Sequence, residues 1–407
     1  MDLDLLARRR RPLWEWVSAP GSARRGEARV PLGFAGLLLL PFSVRFDGQE
    51  ARRFLGLEPR LVGLQEAYTD PSLFPRATGE LRAVMLFARF PDAETEETTQ
   101  ELCDLLVPGA QEYYDHASYG RLTFTVGSLN RWIPMDAAST SSDYDCSRFE
   151  THKGYIGEAM RKADGDADSS RSDIVYAVGS RSPGVHNSPT LFAEPGDGIA
   201  INGAEIRHAV TFGNDVWNEH SGWRVLIHET SHVLGLPDLY GYATSSVHEY
   251  VGGWDPMGLL TNGSDYLPWH KRKLGWLDED QTQVVTAGDA TVLLTPMERT
   301  GGMKPLVLPV SDEDAYAVEV RSREPSEGDE TGDPLYRVNT ATESGQGPMR
   351  VIPARADDDD LGLRRLLGRH WNALFTEGLV LDDPERYARI EILEHQFEGY
   401  TLRARTT

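Results

Sequence analysis

Cysteine is scarce in this chain of 407 residues, which contains only Cys103 and Cys146. Two thiols allow at most one disulfide bond, and they leave no cysteine-ligated zinc site of the structural kind. Two thiols also do not fix a compartment.

Positive charge is also in short supply. Lysine and arginine number 41 against 63 aspartates and glutamates, which gives a formal net charge of −22 and an isoelectric point near 4.9. Such a charge would repel a phosphate backbone, so nucleic acid is not an expected partner. The acidic side chains are expected to form a solvated surface, and acidic loops could also hold calcium.

Long apolar runs are missing as well. No stretch reaches the roughly 18 residues that a membrane-spanning helix needs. The nearest is residues 33–42, which is interrupted by Pro41 and lies too far into the chain for an ordinary signal peptide. Its length predicts a buried strand, so no membrane span is expected.

The chain is long enough for two or three domains, and its patterns predict an α+β fold. Residues 1–80 are rich in arginine, proline and glycine and are predicted to form an N-terminal extension, either pro-like or made of packed strands. Residues 81–283 are predicted to form a central domain. Residues 284–407 contain short alternating runs between glycine, proline and acidic turns, which is typical of a β-sandwich-like domain.

Within the central region, apolar runs predict buried strands and helical spacing predicts amphipathic helices. The predicted strands are residues 82–90, 121–126 and 173–179. The predicted helices are residues 98–116, 157–163 and 222–234.

The last of these helices carries the most informative motif, His228-Glu229-Thr-Ser-His232. Residues four apart lie on one face of a helix, so His228 and His232 can offer their imidazole nitrogens to one zinc ion. Zinc lowers the pKa of a water molecule from about 15.7 to near 7 and polarises a scissile carbonyl. Glu229 lies beside the ion but is turned away from it, so it can take the water's proton and pass it to the leaving amine.

The residues after the helix predict a third ligand. Gly235 permits the left-handed backbone that ends a helix, and Pro237 prevents its continuation, so the chain can fold back and bring Asp238 to the metal. Two histidines, one aspartate and a water make an open tetrahedral site suited to catalysis. Glu249 is the alternative third ligand. Asp238 is favoured because the glycine–proline turn otherwise has no explanation.

Several further segments extend the pattern: Phe87–Asp92, Tyr113–Leu122, Leu236–Tyr240, Gly252–Gly258, Pro268–Trp276, Leu335–Asn339 and Gly399–Leu402. Together with the motif, they resemble the immune inhibitor A family of metallopeptidases in its actinobacterial form, over about residues 81–407. The resemblance implies a zincin or metzincin-like catalytic domain that acts on protein or peptide substrates. It also implies that Met257 belongs to the turn beneath the metal, as a hydrophobic floor rather than a ligand. Such enzymes are usually exported, whereas the start of this sequence shows no signal peptide.

An acidic segment offers a second cation site. Asp164, Asp166 and Asp168 have the spacing of a calcium loop, and the resembling family has an acidic segment before the same strand. The segment lacks the glycine at the sixth position, where Ser169 stands, and the closing glutamate, so it is not an EF-hand. A calcium site and an unoccupied polar turn both stay open.

Three more side chains follow the zinc turn: Tyr240, Tyr242 and His248. Each could stabilise the oxyanion of a tetrahedral intermediate or could serve packing and loop capping, and none is assigned. The sequence as a whole predicts a zinc-dependent endopeptidase with Glu229 as general base. Two alternatives remain, a catalytically silent binding or adhesion module on the same fold and a zinc hydrolase of a non-peptide bond.

Overall fold

The computed structural model describes residues 64–67, 69–93, 96–163, 172–201, 203–217, 222–243, 247–260, 265–322, 333–354 and 374–406. These residues form a mixed α+β structure, so the predicted class is confirmed. The predicted strand at 33–42 and the three aspartates of the possible calcium loop lie outside the described residues.

The described helices are α1 (Thr99–Ala117), α2 (Phe149–Ala163), α3 (Gly222–Val233) and α4 (Pro268–Lys273). The strands of the first half are β1 (Gly79–Arg89), β2 (Leu122–Pro134), β3 (Ile174–Gly179), β4 (Thr190–Phe192), β5 (Ile199–Ile201), β6 (Ala204–Ile206) and β7 (His208–Phe212). The strands of the second half are β8 (Gln283–Val284), β9 (Gly288–Leu294), β10 (Leu306–Pro309), β11 (Asp314–Val318), β12 (Asp333–Asn339), β13 (Met349–Val351), β14 (Leu374–Phe375), β15 (Val380–Asp383), β16 (Ala388–Gln396) and β17 (Gly399–Thr406).

A five-stranded sheet in the order β2-β1-β3-β7-β4 organises the first half. Its first four strands are parallel, and the edge strand β4 runs antiparallel to β7. The inner strand β1 is covered on both faces: Met85 and Phe87 pack towards α1 and α3, while Leu86 and Ala88 pack towards α2. Burial on both faces explains why β1 reads as a continuous apolar run rather than an alternating one.

Two predicted boundaries in this half were wrong. β2 does not end at Val126 but continues to Pro134, because it resumes pairing with β1 after an irregularity between Met85 and Phe87. α2 begins at Phe149 rather than Gly157, and its first two turns already bury His152 and Tyr155.

Two sheets form the second half. One has the order β13-β12-β11-β10-β8, with β14 attached to β12, and the other has the order β15-β16-β17-β9. Apolar side chains of both sheets meet in a common core, for example Leu308 and Val318 from the first with Ile390 and Leu402 from the second. The opposite face of the first sheet, including Val338, joins the core that contains α1 and α3. This sheet therefore connects the two halves.

The described part of the N-terminal region packs against the rest of the chain. Leu64, Glu66 and Ala77 are buried. The indole of Trp276 donates to the carbonyl of Ala77 at 2.6 Å, and Arg207 donates to the carbonyl of Leu73 at 2.7 Å. Residues 64–67 and 69–80 therefore belong structurally to the main body.

Within the described ranges, no helix combines the length and the apolar character needed to cross a bilayer. Cys103 and Cys146 are both half-buried and both free thiols.

The end of α3 is set by its backbone. Gly235 has a φ of +92°, the left-handed conformation that the sequence predicted. The amide of Gly235 donates to the carbonyl of His232 at 2.8 Å, and the amide of Leu236 donates to that of Ser231 at 3.0 Å. These bonds satisfy carbonyls that the helix end would otherwise leave unpaired, and Pro237 then directs the chain away.

A comparison of two glycines tests this helix end. A Cβ at Gly235 would lie 2.6 Å from the Cγ2 atom of Thr69, whereas Gly196, with a φ of +97°, has no heavy atom within 4 Å of its Cβ position. We expect Gly196→Ala to cost about 1–2 kcal/mol from backbone conformation alone. Gly235→Ala should cost about 1–3 kcal/mol more because of overlap with Thr69. Urea unfolding of both variants measures the difference, and equal costs would contradict the packing of Thr69 against this turn.

Candidate metal centre

Helix α3 is held in the core by polar contacts as well as apolar ones. The Tyr114 hydroxyl donates to the carbonyl of Ile227 at 2.9 Å, and the hydroxyls of Tyr176 and Thr230 lie 2.6 Å apart. Ser231 shares a hydrogen bond of 2.5 Å with Tyr266. The two variable positions inside the motif, Thr230 and Ser231, therefore fix the rotation of the helix about its own axis.

Backbone carbonyls orient both imidazoles of the motif. The Nδ1 atom of His228 lies 3.0 Å from the carbonyl oxygen of Pro256, and that of His232 lies 2.7 Å from the carbonyl oxygen of Leu236. A carbonyl only accepts, so each Nδ1 carries the proton of its ring. The Nε2 atoms are then directed to the other side, which is the orientation that metal-binding histidines usually have.

Asp238 meets both imidazoles. Its Oδ1 atom lies 3.0 Å from Nε2 of His228 and 3.3 Å from Nε2 of His232. The ligand atoms of the three side chains lie within 4.8 Å of one another, and all three residues are buried. This group could hold a metal ion.

The charges of this group support one another. Burial favours the neutral form of Asp238, but the two imidazoles outweigh burial and hold the pKa of the carboxyl well below its ordinary range. Burial likewise opposes protonation of His232, and the charge of Asp238 outweighs it and raises the pKa of His232 to about 9. Asp238 therefore keeps its negative charge and makes the site attractive to a cation.

Glu229 lies beside the group, at the wall of a cleft of about 640 Å³. The Thr190 hydroxyl, on the edge strand β4, lies 3.0 Å from Oε2 of Glu229 and can donate to it. Only a small fraction of Glu229 is exposed, 7%. The contact with Thr190 orients the carboxylate of Glu229 next to the imidazoles.

The cleft is lined by residues of the candidate metal site and of two loops. Glu229 and His232 belong to the lining, together with Tyr240 and Tyr242. The remaining lining comes from residues 139–147 and 184–189, excluding position 143, and most of these side chains are neutral and polar. Among the described residues of this lining there is no lysine or arginine, so the cleft can accept a polar or cationic chain without repulsion.

A turn at residues 255–258 lies directly under α3. Its Pro256 carbonyl binds the ring of His228. Its Met257 carbonyl accepts a hydrogen bond of 2.9 Å from the amide of Leu239. The Met257 side chain is fully buried in the core that contains α3. The turn thus contacts His228 itself and the residue that follows Asp238, in both cases through backbone carbonyls.

A chain of buried charges fixes this turn. Asp255 accepts a hydrogen bond of 2.9 Å from the amide of Met257 and one of 2.8 Å from Nδ1 of His270. The other ring nitrogen of His270 lies 2.9 Å from Oε1 of Glu66. All three charged residues have no exposed surface. Burial opposes protonation of His270, but Asp255 and Glu66 outweigh it and raise its pKa to about 9.

The other sequence-predicted residues have different positions. Glu249 is half-buried and is not part of the His228–His232–Asp238 group. The Tyr240 ring stacks on that of His228 with centroids 6.1 Å apart, and Nδ1 of His248 lies 3.0 Å from the carbonyl of Gly258. Tyr242 donates its hydroxyl to Oδ2 of Asp238 at 2.5 Å.

Sequence reasoning missed three contributors to the site: Thr190, Glu66 and Ser344, whose Oγ atom accepts the amide of Asp238 at 2.8 Å. In sequence, Thr190 is 39 residues from Glu229, Glu66 is 204 residues from His270, and Ser344 is 106 residues from Asp238. No local spacing rule links such distant positions. Asp255 stood within a segment that carried the family resemblance, but only Met257 in that segment was given a role.

Comparison with known proteins does not extend this description. No family model matches the sequence, and no curated protein matches it either. The functional interpretation therefore rests on the residues of the site, and the similarity to the immune inhibitor A family stays a prediction.

Glu66→Gln tests the buried charge chain through its pH dependence. The pKa of His270 is higher in the folded chain, about 9, than in an unfolded chain, about 6.5. Its stabilising contribution is therefore complete below the unfolded value and is lost as the pH rises through the folded value. We expect the variant to lose about 3 kcal/mol at pH 6, because a buried charge loses its partner, and less at pH 9.5. Denaturant unfolding at both pH values measures this.

The control is Glu80→Gln, since Glu80 pairs with Arg82 at the surface. It should leave the stability unchanged at both pH values. A Glu66→Gln effect that is constant with pH would contradict a protonated His270 between two carboxylates.

Proposed function

We propose that this protein is a zinc-dependent endopeptidase. The observation that carries the proposal is the convergence of His228, His232 and Asp238 beside a cleft whose wall includes His232 and Glu229. A catalytic zinc site needs three protein ligands, a fourth position that water occupies, and a nearby base. His228, His232 and Asp238 can supply the ligands, and Glu229 can supply the base.

The separations of the ligand atoms support zinc binding. Zinc–nitrogen and zinc–oxygen bonds of about 2.0–2.2 Å place neighbouring tetrahedral ligands roughly 3.3 Å apart. The Oδ1 atom of Asp238 lies 3.0 and 3.3 Å from the two Nε2 atoms. A small ion could therefore enter with minor side-chain movement.

The kind of donor favours zinc over the hard cations. Two imidazoles and one carboxylate suit zinc, whereas calcium and magnesium prefer oxygen ligands alone. The second ring nitrogen of each histidine is already bonded to a carbonyl, which fixes the tautomer that a metal requires.

The roles of the chain's own residues follow from their positions. Bound zinc would supply a water of lowered pKa and a polarised carbonyl. Glu229, oriented by Thr190, accepts the proton of the attacking water and delivers it to the leaving amine. Met257 forms part of the floor beneath the imidazoles, as in a metzincin-like domain. The cleft beside these residues offers space for a peptide substrate.

Glu229→Gln separates metal binding from catalysis. The variant should retain stoichiometric zinc, because Glu229 is not a ligand, while peptide hydrolysis falls by at least about a hundredfold through loss of the general base. Elemental analysis and a casein digest on the same preparation measure both quantities. Near-normal turnover of the variant would refute the role of Glu229.

The alternatives predict other outcomes of the same assay. A silent binding or adhesion module would leave casein intact even with zinc bound to the wild-type chain. A zinc hydrolase of another bond would also leave casein intact but would cleave ester or non-peptide amide substrates in a chelator-sensitive manner.

Asp238→Asn tests the third ligand. Asparagine keeps the shape but loses the charge, so we expect zinc affinity to fall by more than the roughly 10–100-fold that is typical of residues outside the ligand set. Glu249→Gln is the matched control and should leave the affinity nearly unchanged. Zinc titration against a competing chelator measures both variants, and metal loss in Glu249→Gln instead would contradict the proposed ligand set.

A further inference from the structure

The loop between β12 and β13, residues 340–348, reaches the candidate metal centre from the second half of the chain. Ser344 accepts the backbone amide of Asp238 at 2.8 Å, and the amide of Gly345 donates to the carbonyl of Asp238 at 3.1 Å. Asp238 is therefore bound on both sides of its peptide unit by a loop more than a hundred residues away.

The side chain of Asp238 is held by the same group. Tyr242 donates its hydroxyl to Oδ2 of Asp238 at 2.5 Å, and the oxygen of Tyr242 lies 3.0 Å from Oγ of Ser344. An ionised carboxylate only accepts hydrogen bonds, so the Tyr242 hydroxyl is the donor in this contact. Since its one proton is directed to the carboxylate, Ser344 donates to the oxygen of Tyr242.

These bonds form a closed ring. It runs from the amide of Asp238 to Ser344, from Ser344 to Tyr242, and from Tyr242 back to the carboxylate of Asp238. A ring that joins a residue's backbone to its own side chain fixes the side-chain torsions between them. Oδ2 is engaged by Tyr242, and Oδ1 faces the two imidazoles.

The loop is itself fixed in place. The amide of Ser344 donates to the carbonyl of Leu64 at 3.0 Å, and the amide of Tyr242 donates to that of Gly345 at 3.1 Å. Gly345 has a φ of +72°, and a Cβ there would lie 2.2 Å from the Tyr242 ring. The ring of Tyr242 thus lies against bare backbone, which no other residue would provide.

We propose that Ser344 and Tyr242 are positioning residues that direct one oxygen of Asp238 to the metal. This inference rests on the proposed function, since it concerns the same three ligands. It adds that the metal centre is assembled from both halves of the chain, with a serine from the second half as an essential part of the ligand's support.

The test is metal affinity of the full chain, which does not depend on turnover. Metal-free Ser344→Ala and Tyr242→Phe are titrated with Zn²⁺ against a competing chelator. Each should bind zinc about 10–100-fold more weakly than the wild type, the range for groups that orient a ligand. The double variant should lose less than the product of the two effects, because the hydroxyls act through each other. With Co²⁺ in place of zinc, the visible absorption bands of both variants should shift from those of the wild type.

Two controls remove a comparable hydroxyl elsewhere. Thr342 lies in the same loop but donates to Asn339, and Tyr316 donates to Asp383 in the second half. Thr342→Ala and Tyr316→Phe should bind zinc as the wild type does. Ser344→Thr retains a hydroxyl and should recover affinity relative to Ser344→Ala, which a purely structural loss would not predict.

Three results would overturn the inference. One is zinc affinity of Ser344→Ala and Tyr242→Phe equal to that of the controls, and another is strictly multiplicative effects in the double variant. The third is failure of the wild-type chain to bind zinc, which would refute the proposed function as well. The first two results would refute only the positioning role of Ser344 and Tyr242. If Ser344→Ala does not fold, the zinc affinity of Tyr242→Phe alone decides, because this variant keeps the aromatic side chain and loses only the hydroxyl.

Discussion

The carboxylate of Asp238 carries a negative charge at a position with no exposed surface. A buried charge is tolerated only when neighbouring groups compensate it. Two imidazoles face one oxygen of this carboxylate, and a tyrosine hydroxyl binds the other. The elements around the site bring these groups to one point and hold them there.

Each of these elements comes from a different part of the sequence. Helix α3 supplies the imidazoles, and Gly235 ends it so that the chain returns to the site. The turn at 255–258 supplies the carbonyl that orients His228, and the loop at 340–348 supports Asp238. Residues 64–67 contact both the turn, through His270 and Glu66, and the loop, through Leu64. The site is thus assembled from several segments of the described chain, rather than from one helix.

Local patterns in the sequence predicted the parts of the site that depend on local geometry. Residues four apart share a helix face, so His228 and His232 were found from spacing alone. The turn after α3 was predicted because Gly235 and Pro237 have restricted backbone preferences. The continuous apolar run of β1 predicted a buried strand. The strands and helices around it agree with the predicted α+β class.

The rest depends on contacts between distant residues. Ser344 lies in a loop that has no motif of its own, and its role appears only when β12 and β13 place that loop beside Asp238. Glu66 lies in the predicted N-terminal extension, for which the sequence left a pro-like segment and packed strands open, and its carboxylate contacts His270 in the core. The late start predicted for α2 has the same cause, since the burial of His152 and Tyr155 is decided by the sheet against which they pack.

Metal dependence of peptide hydrolysis tests the central claim most directly. The wild-type chain is freed of metal with a chelator, dialysed, and titrated with Zn²⁺ while cleavage of casein is followed. The account predicts no cleavage by the metal-free chain and full recovery at one equivalent of zinc per chain. Cleavage that survives complete removal of metal, or a chain that binds no zinc, would contradict it.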